Sequence, residues 1–168
     1  MLPAAANPWP SKKPSCKIVS WNGAALFQDD PIKAARKIAI LAKLSLEYDI
    51  ILIQEAHGDE NDLRARSPQI ADSHHCHAAQ ARNHAVGGVI ALFKKEWLGV
   101  VVPISETIVT GRVTRTLLDD GWCTTVVYNV HNFGLTAQDV NNISTRIKAD
   151  LAAVERDPTR HDVIIAGD

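Results

Sequence analysis

The most constraining feature of the sequence is a short apolar run, Ile50-Ile51-Leu52-Ile53, which ends on Gln54-Glu55. Four consecutive apolar residues predict a strand that is buried on both faces, so layers must cover it on either side. Lys17–Asn22 predicts an earlier strand, and a helix separates the two. This strand-helix-strand order predicts a parallel pair with a right-handed crossover.

The helix between these strands has clear start signals. Asp30 is placed as N-cap and Pro31 as the first helical residue. Apolar residues at three- and four-residue steps predict one face packed on a core, and the basic residues predict a solvated face, with a nucleic-acid patch as the lesser alternative. The predicted core stripe is Ile32, Ala35, Ile38, Ala39, Ala42 and Leu46, and the basic residues are Lys33, Arg36, Lys37 and Lys43.

The rest of the chain predicts a mixture of strands and helices. Residues 58–86 are polar and predict irregular structure with one short helix near 61–66. Thr136 and Asp139 form a capping box before a helix whose apolar stripe is Ile143, Ile147, Leu151 and Val154. The predicted strands after residue 86 are 89–93, 100–103, 106–110, 113–118, 122–131 and 163–166, with a hairpin turn at Asp119-Asp120-Gly121. The fold class is therefore α/β (α+β) with mixed sheets.

Composition limits the classes of partner. The 168 residues include 18 basic and 19 acidic ones, for a net charge of −1, which excludes binding of nucleic acid by the whole surface but allows a local site. No apolar run reaches the ~20 residues that a membrane span requires. Three widely spaced cysteines favour reduced thiols and an intracellular location. Residues 1–16 hold four prolines and predict a disordered leader, not a signal peptide.

Polar residues stand where several predicted strands end. Asn22, Glu55 and Asp168 each follow an apolar strand, and Asn129 and His131 close another. Carboxylate and amide oxygens are hard ligands that suit Mg²⁺ or Mn²⁺, and a neighbouring histidine can contact phosphate or transfer a proton. Taken singly, each residue has a simpler explanation as a turn residue, strand end, helix cap or hydrogen-bonded histidine. The prediction of a metal-dependent phosphate-ester site depends on their combination.

A second group of candidate ligands lies in the polar stretch before Gly87. Zinc sites draw their ligands from two separated elements with short spacings inside each pair, and this group does not follow that pattern. We expect a solvated loop here, with zinc as a minor alternative. The group consists of His74, His75, Cys76, His77 and His84.

The order of the strand-end motifs resembles that of the endonuclease/exonuclease/phosphatase superfamily, and it extends from about Lys17 to Asp168. The Trp-Asn and Gln-Glu strand ends are the specific part of the match, whereas Gly-Gly-Val and Gly-Arg are weak. The motifs are Ser20-Trp21-Asn22, Ile53-Gln54-Glu55, Gly87-Gly88-Val89, Gly111-Arg112, Asn129-Val130-His131 and Gly167-Asp168.

The resemblance implies a deoxyribonuclease-I-like fold, a four-layer sandwich of two mixed β-sheets flanked by helices, and Mg²⁺-dependent cleavage of phosphate esters. It implies that Asn22 and Glu55 are metal-site residues, that His131 contacts the scissile phosphate and that Asp168 orients the attacking water. Asn129 is implied as a hydrogen-bonding support at the catalytic motif. Arg112 is implied as a structural residue, with phosphate contact as the minority interpretation.

The family pattern continues past the Gly-Asp with an asparagine and a later Asp-His pair, for which this sequence has no positions. We therefore expect residues 17–168 to be an incomplete, C-terminally truncated domain with little hydrolytic activity by itself. A phosphate-ester substrate, most plausibly nucleic acid, is expected, although inositol phosphate and lipid phosphodiesters stay open. The alternatives are a non-catalytic remnant or interaction module and, among enzymes, a LINE-type retroelement endonuclease. Oligomeric state and compartment are not determined.

Overall fold

The computed structural model describes residues 15–81 and 87–168. The leader that the sequence predicts over residues 1–16 therefore lies almost entirely outside the described residues, as does His84 of the histidine group. The strands are β1 (Ile18–Asn22), β2 (Ile50–Gln54), β3 (His74–Ala79), β4 (Val89–Lys94), β5 (Ile104–Val109), β6 (Val113–Asp119), β7 (Thr124–Val130) and β8 (His161–Gly167). The helices are α1 (Pro31–Glu47), α2 (Glu60–Arg66), α3 (Pro68–Ser73), α4 (Lys95–Leu98) and α5 (Ala137–Arg156).

The strands form two mixed four-stranded sheets. The first sheet has the order β1-β2-β4-β3, in which β1 and β2 are parallel and the other neighbours antiparallel. The second has the order β5-β6-β7-β8, in which β7 and β8 are parallel. Each parallel pair is joined by a long helix, α1 in the first sheet and α5 in the second. This arrangement puts the carboxyl ends of each parallel pair at one sheet edge.

The two sheets pack face to face, with helices outside them, which makes four layers. Alternate residues of β2 point to two different hydrophobic cores. Ile50 and Leu52 pack in the core between the two sheets, whereas Ile51 and Ile53 pack in the core between the first sheet and the helices. All five residues of β2 are buried, as the apolar run predicts. A third core lies between the second sheet and α5, around Tyr128.

Both long helices begin where the sequence predicts. The side chain of Asp30 accepts hydrogen bonds from the backbone N–H groups of Ile32 and Lys33 at the start of α1. Thr136 and Asp139 form the full capping box at the start of α5. These local signals are reliable because a cap is made by residues within one turn of each other.

The buried face of α1 differs from the predicted one. Ala34 and Leu41 are buried, and Ile38 and Leu44 pack against the same core. Ile32 and Leu46 are exposed instead, and the remaining predicted stripe residues Ala35, Ala39 and Ala42 are exposed as well. The helix has apolar residues around more than half of its circumference, so two overlapping stripes have helical spacing and only the packing distinguishes them.

Three other local predictions were wrong. Residues 68–73 form α3 and residues 74–79 form β3, in a stretch that the sequence predicted to be irregular apart from one helix. The predicted strand at 100–103 is absent from the part of the chain described; Val101 packs into the core between the sheets and Val102 is exposed. On α5, Leu151 is also exposed, because the neighbouring Asp150 turns toward the second sheet to bind Arg115.

Within the described ranges, no helix has the length and apolar content needed to cross a membrane.

Candidate active site

The carboxyl ends of the two parallel strand pairs converge at one edge of the sandwich. Asn22 ends β1, Glu55 follows β2, and His131 and Asp168 follow β7 and β8. The buried strands β2 and β7 hold Glu55 and His131 firmly, since both strands are covered on both faces. Four of the six predicted site residues are thus brought together at the mouth of one open cleft.

Asp168 connects two of the other residues. Its carboxylate accepts a hydrogen bond from the Asn22 side-chain amide and lies 2.8 Å from Nδ1 of His131. Its backbone N–H donates to the Val130 carbonyl at 3.1 Å. A carboxylate only accepts hydrogen bonds, so Nδ1 of His131 is the donor and Nε2 has the free lone pair in the neutral ring.

Glu55 and His131 face each other across the cleft. Nε2 of His131 lies 3.8 Å from Oε1 of Glu55, which is longer than a hydrogen bond. The His131 side chain is only 4% exposed, whereas that of Glu55 is 36% exposed. Glu55 has a left-handed backbone with φ of 51°, an unfavourable conformation for a non-glycine residue that is typical of functional sites.

Asn129 lies beneath the cleft, fully buried. Its side-chain amide donates to the backbone carbonyls of Ile53 at 3.1 Å and Ile90 at 2.9 Å. Its side-chain oxygen accepts from Nε2 of Gln54 at 2.6 Å. Asn129 therefore ties the second sheet to β2 and β4 of the first and supports the residues above it, without reaching the cleft surface.

Arg112 lies beside the cleft. Its backbone carbonyl accepts the N–H of His131 at 2.8 Å, and its guanidinium carbon lies 5.8 Å from the centre of the Phe133 ring. Its Nη1 is buried and has no hydrogen-bond partner among the residues described. Gly87 lies next to this nitrogen and has a left-handed φ of 83°, a backbone conformation that favours glycine.

Three further residues belong to this region and were not predicted as site residues. Lys37, expected on the solvated face of α1, instead donates to the backbone carbonyl of Ala24 in the loop after Asn22. His57 has a φ of 54°, and burial lowers its pKa more than the charge of Glu55 raises it. Phe133 lines the cleft next to His131. For His57 and Phe133 the only signal in the sequence was proximity to Glu55 and His131.

The histidine-rich stretch is part of β3, not the solvated loop that the sequence predicted. His74 is buried and pairs with Ser73 Oγ at 2.9 Å, while Nε2 of His77 contacts Thr107 at 3.4 Å. Burial raises the pKa of the Cys76 thiol to about 12, as expected for a thiol that packs against the core between the first sheet and the helices.

Over residues 15–81 and 87–168, no group of three or more His, Cys, Asp or Glu side chains is arranged to hold a metal ion. Glu55 offers a partly exposed carboxylate, and Asn22 an amide oxygen that also accepts the Ala24 N–H at 2.8 Å. Mg²⁺ commonly binds one or two carboxylates and completes its shell with water and substrate phosphate. The donors at this cleft fit such a hard, partly hydrated ion.

The cleft itself has room for a phosphate ester. Its volume is about 520 Å³, and it opens widely to solvent. Carboxylate, imidazole and aromatic groups line it. The carboxylates can bind a cation, the imidazole can carry a proton, and the aromatic ring offers an apolar contact. The lining residues are Glu55, His131, Asn132, Phe133, Gly134 and Asp168.

Solved structures of TDP2 and of an AP endonuclease share this fold. Humanized D. rerio TDP2 with 14 mutations is 18% identical with a TM-score of 0.58, over 91% of this chain and 65% of that one. D. rerio TDP2 complexed with a single-strand DNA product is 18% identical with a TM-score of 0.55, over 91% and 60%. The AP endonuclease LMAP from Leishmania major is 17% identical with a TM-score of 0.57, over 91% and 54%.

This chain therefore spans less than two thirds of the length of those structures. The likeness establishes the deoxyribonuclease-I-like fold, as the sequence predicts. No curated protein matches the sequence significantly. The family model for endonucleases, exonucleases and phosphatases matches residues 19–168. This range includes all the strand-end residues of the cleft. The chain belongs to the Endonuclease/Exonuclease/phosphatase family.

Proposed function

We propose that this chain forms the metal-binding and phosphate-binding part of a phosphodiester hydrolase of the nuclease type. The main support is the convergence of Asn22, Glu55, His131 and Asp168 at one open cleft. The family contains enzymes that act on phosphate esters, and one solved relative was crystallised with a single-strand DNA product. Nucleic acid is therefore the preferred substrate class.

In this proposal, Glu55 and Asn22 hold Mg²⁺ or Mn²⁺, which supplies charge neutralisation for the phosphate when it is bound. Asp168 accepts a hydrogen bond from Nδ1 of His131 and so keeps Nε2 of that ring directed into the cleft. From there Nε2 contacts the scissile phosphate or moves a proton. The partly exposed Asp168 carboxylate orients the water that attacks phosphorus.

Arg112 and Asn129 act through other residues. The Arg112 carbonyl fixes the backbone of His131, and Asn129 joins the two sheets directly below the cleft. Both are positioning residues in the proposal.

The experiment that tests the proposal separates metal binding from turnover. Thermal unfolding is followed with and without Mg²⁺ or Mn²⁺ for the wild type, for Glu55→Gln and for Glu96→Gln, an exposed carboxylate on α4. A ligand that binds only the folded state raises its stability. We expect the metal to raise the Tm of the wild type and of Glu96→Gln, but not of Glu55→Gln.

The same proteins are then assayed for nicking of supercoiled plasmid. Any metal-dependent nicking must be lost in Glu55→Gln and retained in Glu96→Gln. An equal metal-induced rise in Tm for the wild type and Glu55→Gln, or no rise in either, would contradict the proposal. It would favour a non-catalytic interaction module instead.

A further inference from the structure

One large apolar side chain stands at the rim of the cleft. Phe133 follows His131-Asn132 directly and is 70% exposed, although it lines the same cleft as Glu55 and Asp168. Single exposed apolar residues are common on protein surfaces. Its position is informative only because other contacts hold the ring in place.

Two charged or polar groups hold the Phe133 ring. The Arg112 guanidinium carbon lies over it, 5.8 Å from the ring centre, which is within the range of a cation–π contact. The His131 ring centre lies 6.3 Å away, with the two planes inclined at 37°. The ring thus has a charged support while most of its surface faces solvent.

The backbone around Phe133 is also fixed. The N–H of Asn132 donates to the Asp168 carbonyl at 2.8 Å, and the N–H of Leu135 reaches the Asn132 carbonyl at 3.5 Å. The capping box of α5 starts at Thr136. An aromatic ring on such a short, tied turn loses little conformational entropy when a ligand stacks on it.

We propose that Phe133 is a stacking platform for an unpaired nucleobase next to the scissile phosphate. The proposal rests on the proposed function, because it takes His131 as the phosphate contact. A base paired inside a duplex shows only its edges, so a face-on contact requires an unpaired nucleotide. The net charge of −1 leaves little general attraction for the phosphate backbone, which increases the importance of a stacking contact for affinity.

The test measures binding of a fluorescein-labelled single-stranded DNA by anisotropy at low salt, in the presence of Mg²⁺. Phosphorothioate linkages protect the strand from cleavage. Two strands are compared, one with all its bases and one with consecutive abasic nucleotides at its centre, together with a duplex of the same sequence. The proteins are the wild type and the Phe133→Ala, Phe133→Leu, Phe133→Trp and Trp122→Ala variants.

Trp122 is the matched control, since it is an exposed aromatic residue just before the opposite end of β7. We expect Phe133→Ala and Phe133→Leu to weaken binding of the complete strand about fivefold or more. Phe133→Trp and Trp122→Ala should bind like the wild type. The abasic strand should bind weakly and equally to all five proteins, and duplex affinity should not depend on residue 133.

Wild-type affinity in Phe133→Leu would overturn the proposal, because it would show a general apolar contact instead of stacking. Equal binding of the complete and abasic strands by the wild type would overturn it too, as would the absence of binding to any strand. None of these outcomes affects the Tm comparison with Glu55→Gln. A failure of the stacking proposal is therefore distinguishable from a failure of the proposed function.

Discussion

Two clusters of charged side chains in this protein differ in how fully their hydrogen-bonding groups are used. In the buried cluster of the second sheet, Arg115 donates through Nε and Nη2 to Asp150 at 2.9 and 2.7 Å. Its Nη1 donates to Glu106 at 3.1 Å, and the Tyr128 hydroxyl also donates to Asp150. The side chains of Arg115 and Asp150 are only 17% and 16% exposed.

The cluster at the cleft is more open. The side chains of Glu55 and Asp168 are 36% and 34% exposed. Among the described residues, the Glu55 carboxylate accepts no hydrogen bond, and its oxygen Oε1 lies 3.8 Å from Nε2 of His131. Its lone pairs remain available for a cation, water or substrate.

The difference separates a structural cluster from a reactive one. Groups that satisfy each other contribute to stability and have nothing left to bind. Groups held close together but incompletely paired cost stability and keep capacity for a ligand. The free energy of unfolding should therefore fall strongly when a carboxylate is removed from the buried cluster and change little when one is removed from the cleft.

The largest effect is expected for Asp150→Ala. The change leaves the Arg115 guanidinium half paired in a mostly buried position, which should lower the free energy of unfolding by about 3 kcal/mol. Urea denaturation at pH 7 measures it. The control is Asp72→Ala, which removes an exposed ion pair with Arg64 and should cost less than about 0.5 kcal/mol. Equal losses in the two variants would contradict the structural role of the buried cluster.

A second effect depends on pH. Burial acts to raise the pKa of Asp150, but the hydrogen bonds from Arg115 and Tyr128 prevail and hold it below its usual value. The resulting stability is fully present above the unfolded-state pKa of about 3.9 and is lost as the pH falls through the lower folded-state pKa. The stability difference between the wild type and Asp150→Asn should thus shrink below about pH 4. A difference that stays constant from pH 7 to pH 3 would refute this linkage.

The smallest effects are expected at Glu55. Glycine accepts a φ of 51° without the steric cost, so Glu55→Gly should raise the free energy of unfolding by about 0.5–1 kcal/mol. Glu55→Gln keeps a non-glycine residue at this positive φ, so it should change the free energy of unfolding by less than about 0.5 kcal/mol. Chemical denaturation without metal compares the two. A loss of stability in Glu55→Gln similar to that of Asp150→Ala would remove the distinction between the clusters.

The sequence predicts those parts of the fold that depend on neighbours in the chain. The apolar run of β2, the Asp30 cap and the capping box of Thr136 all involve residues within one element. The strand-end positions of Asn22, Glu55, His131 and Asp168 follow from the same local patterns, combined with the family resemblance. Sequence reasoning did not single out Lys37, His57 or Phe133. Lys37 contacts the loop after Asn22, Phe133 contacts Arg112, and His57 is partly buried only in the folded chain.

The buried face of α1 shows most clearly what sequence reasoning could not predict. Two stripes of the helix have suitable spacing, and only contact with the first sheet selects Leu41 over Leu46. The histidine-rich stretch forms β3 for a similar reason, since its partner β4 lies beyond residue 86. By itself, the sequence determined the two units in which a long helix joins two strands, the caps of those helices and the polar strand ends. Only the tertiary structure decided which faces are buried and which carboxylates are satisfied, because both depend on packing between distant segments.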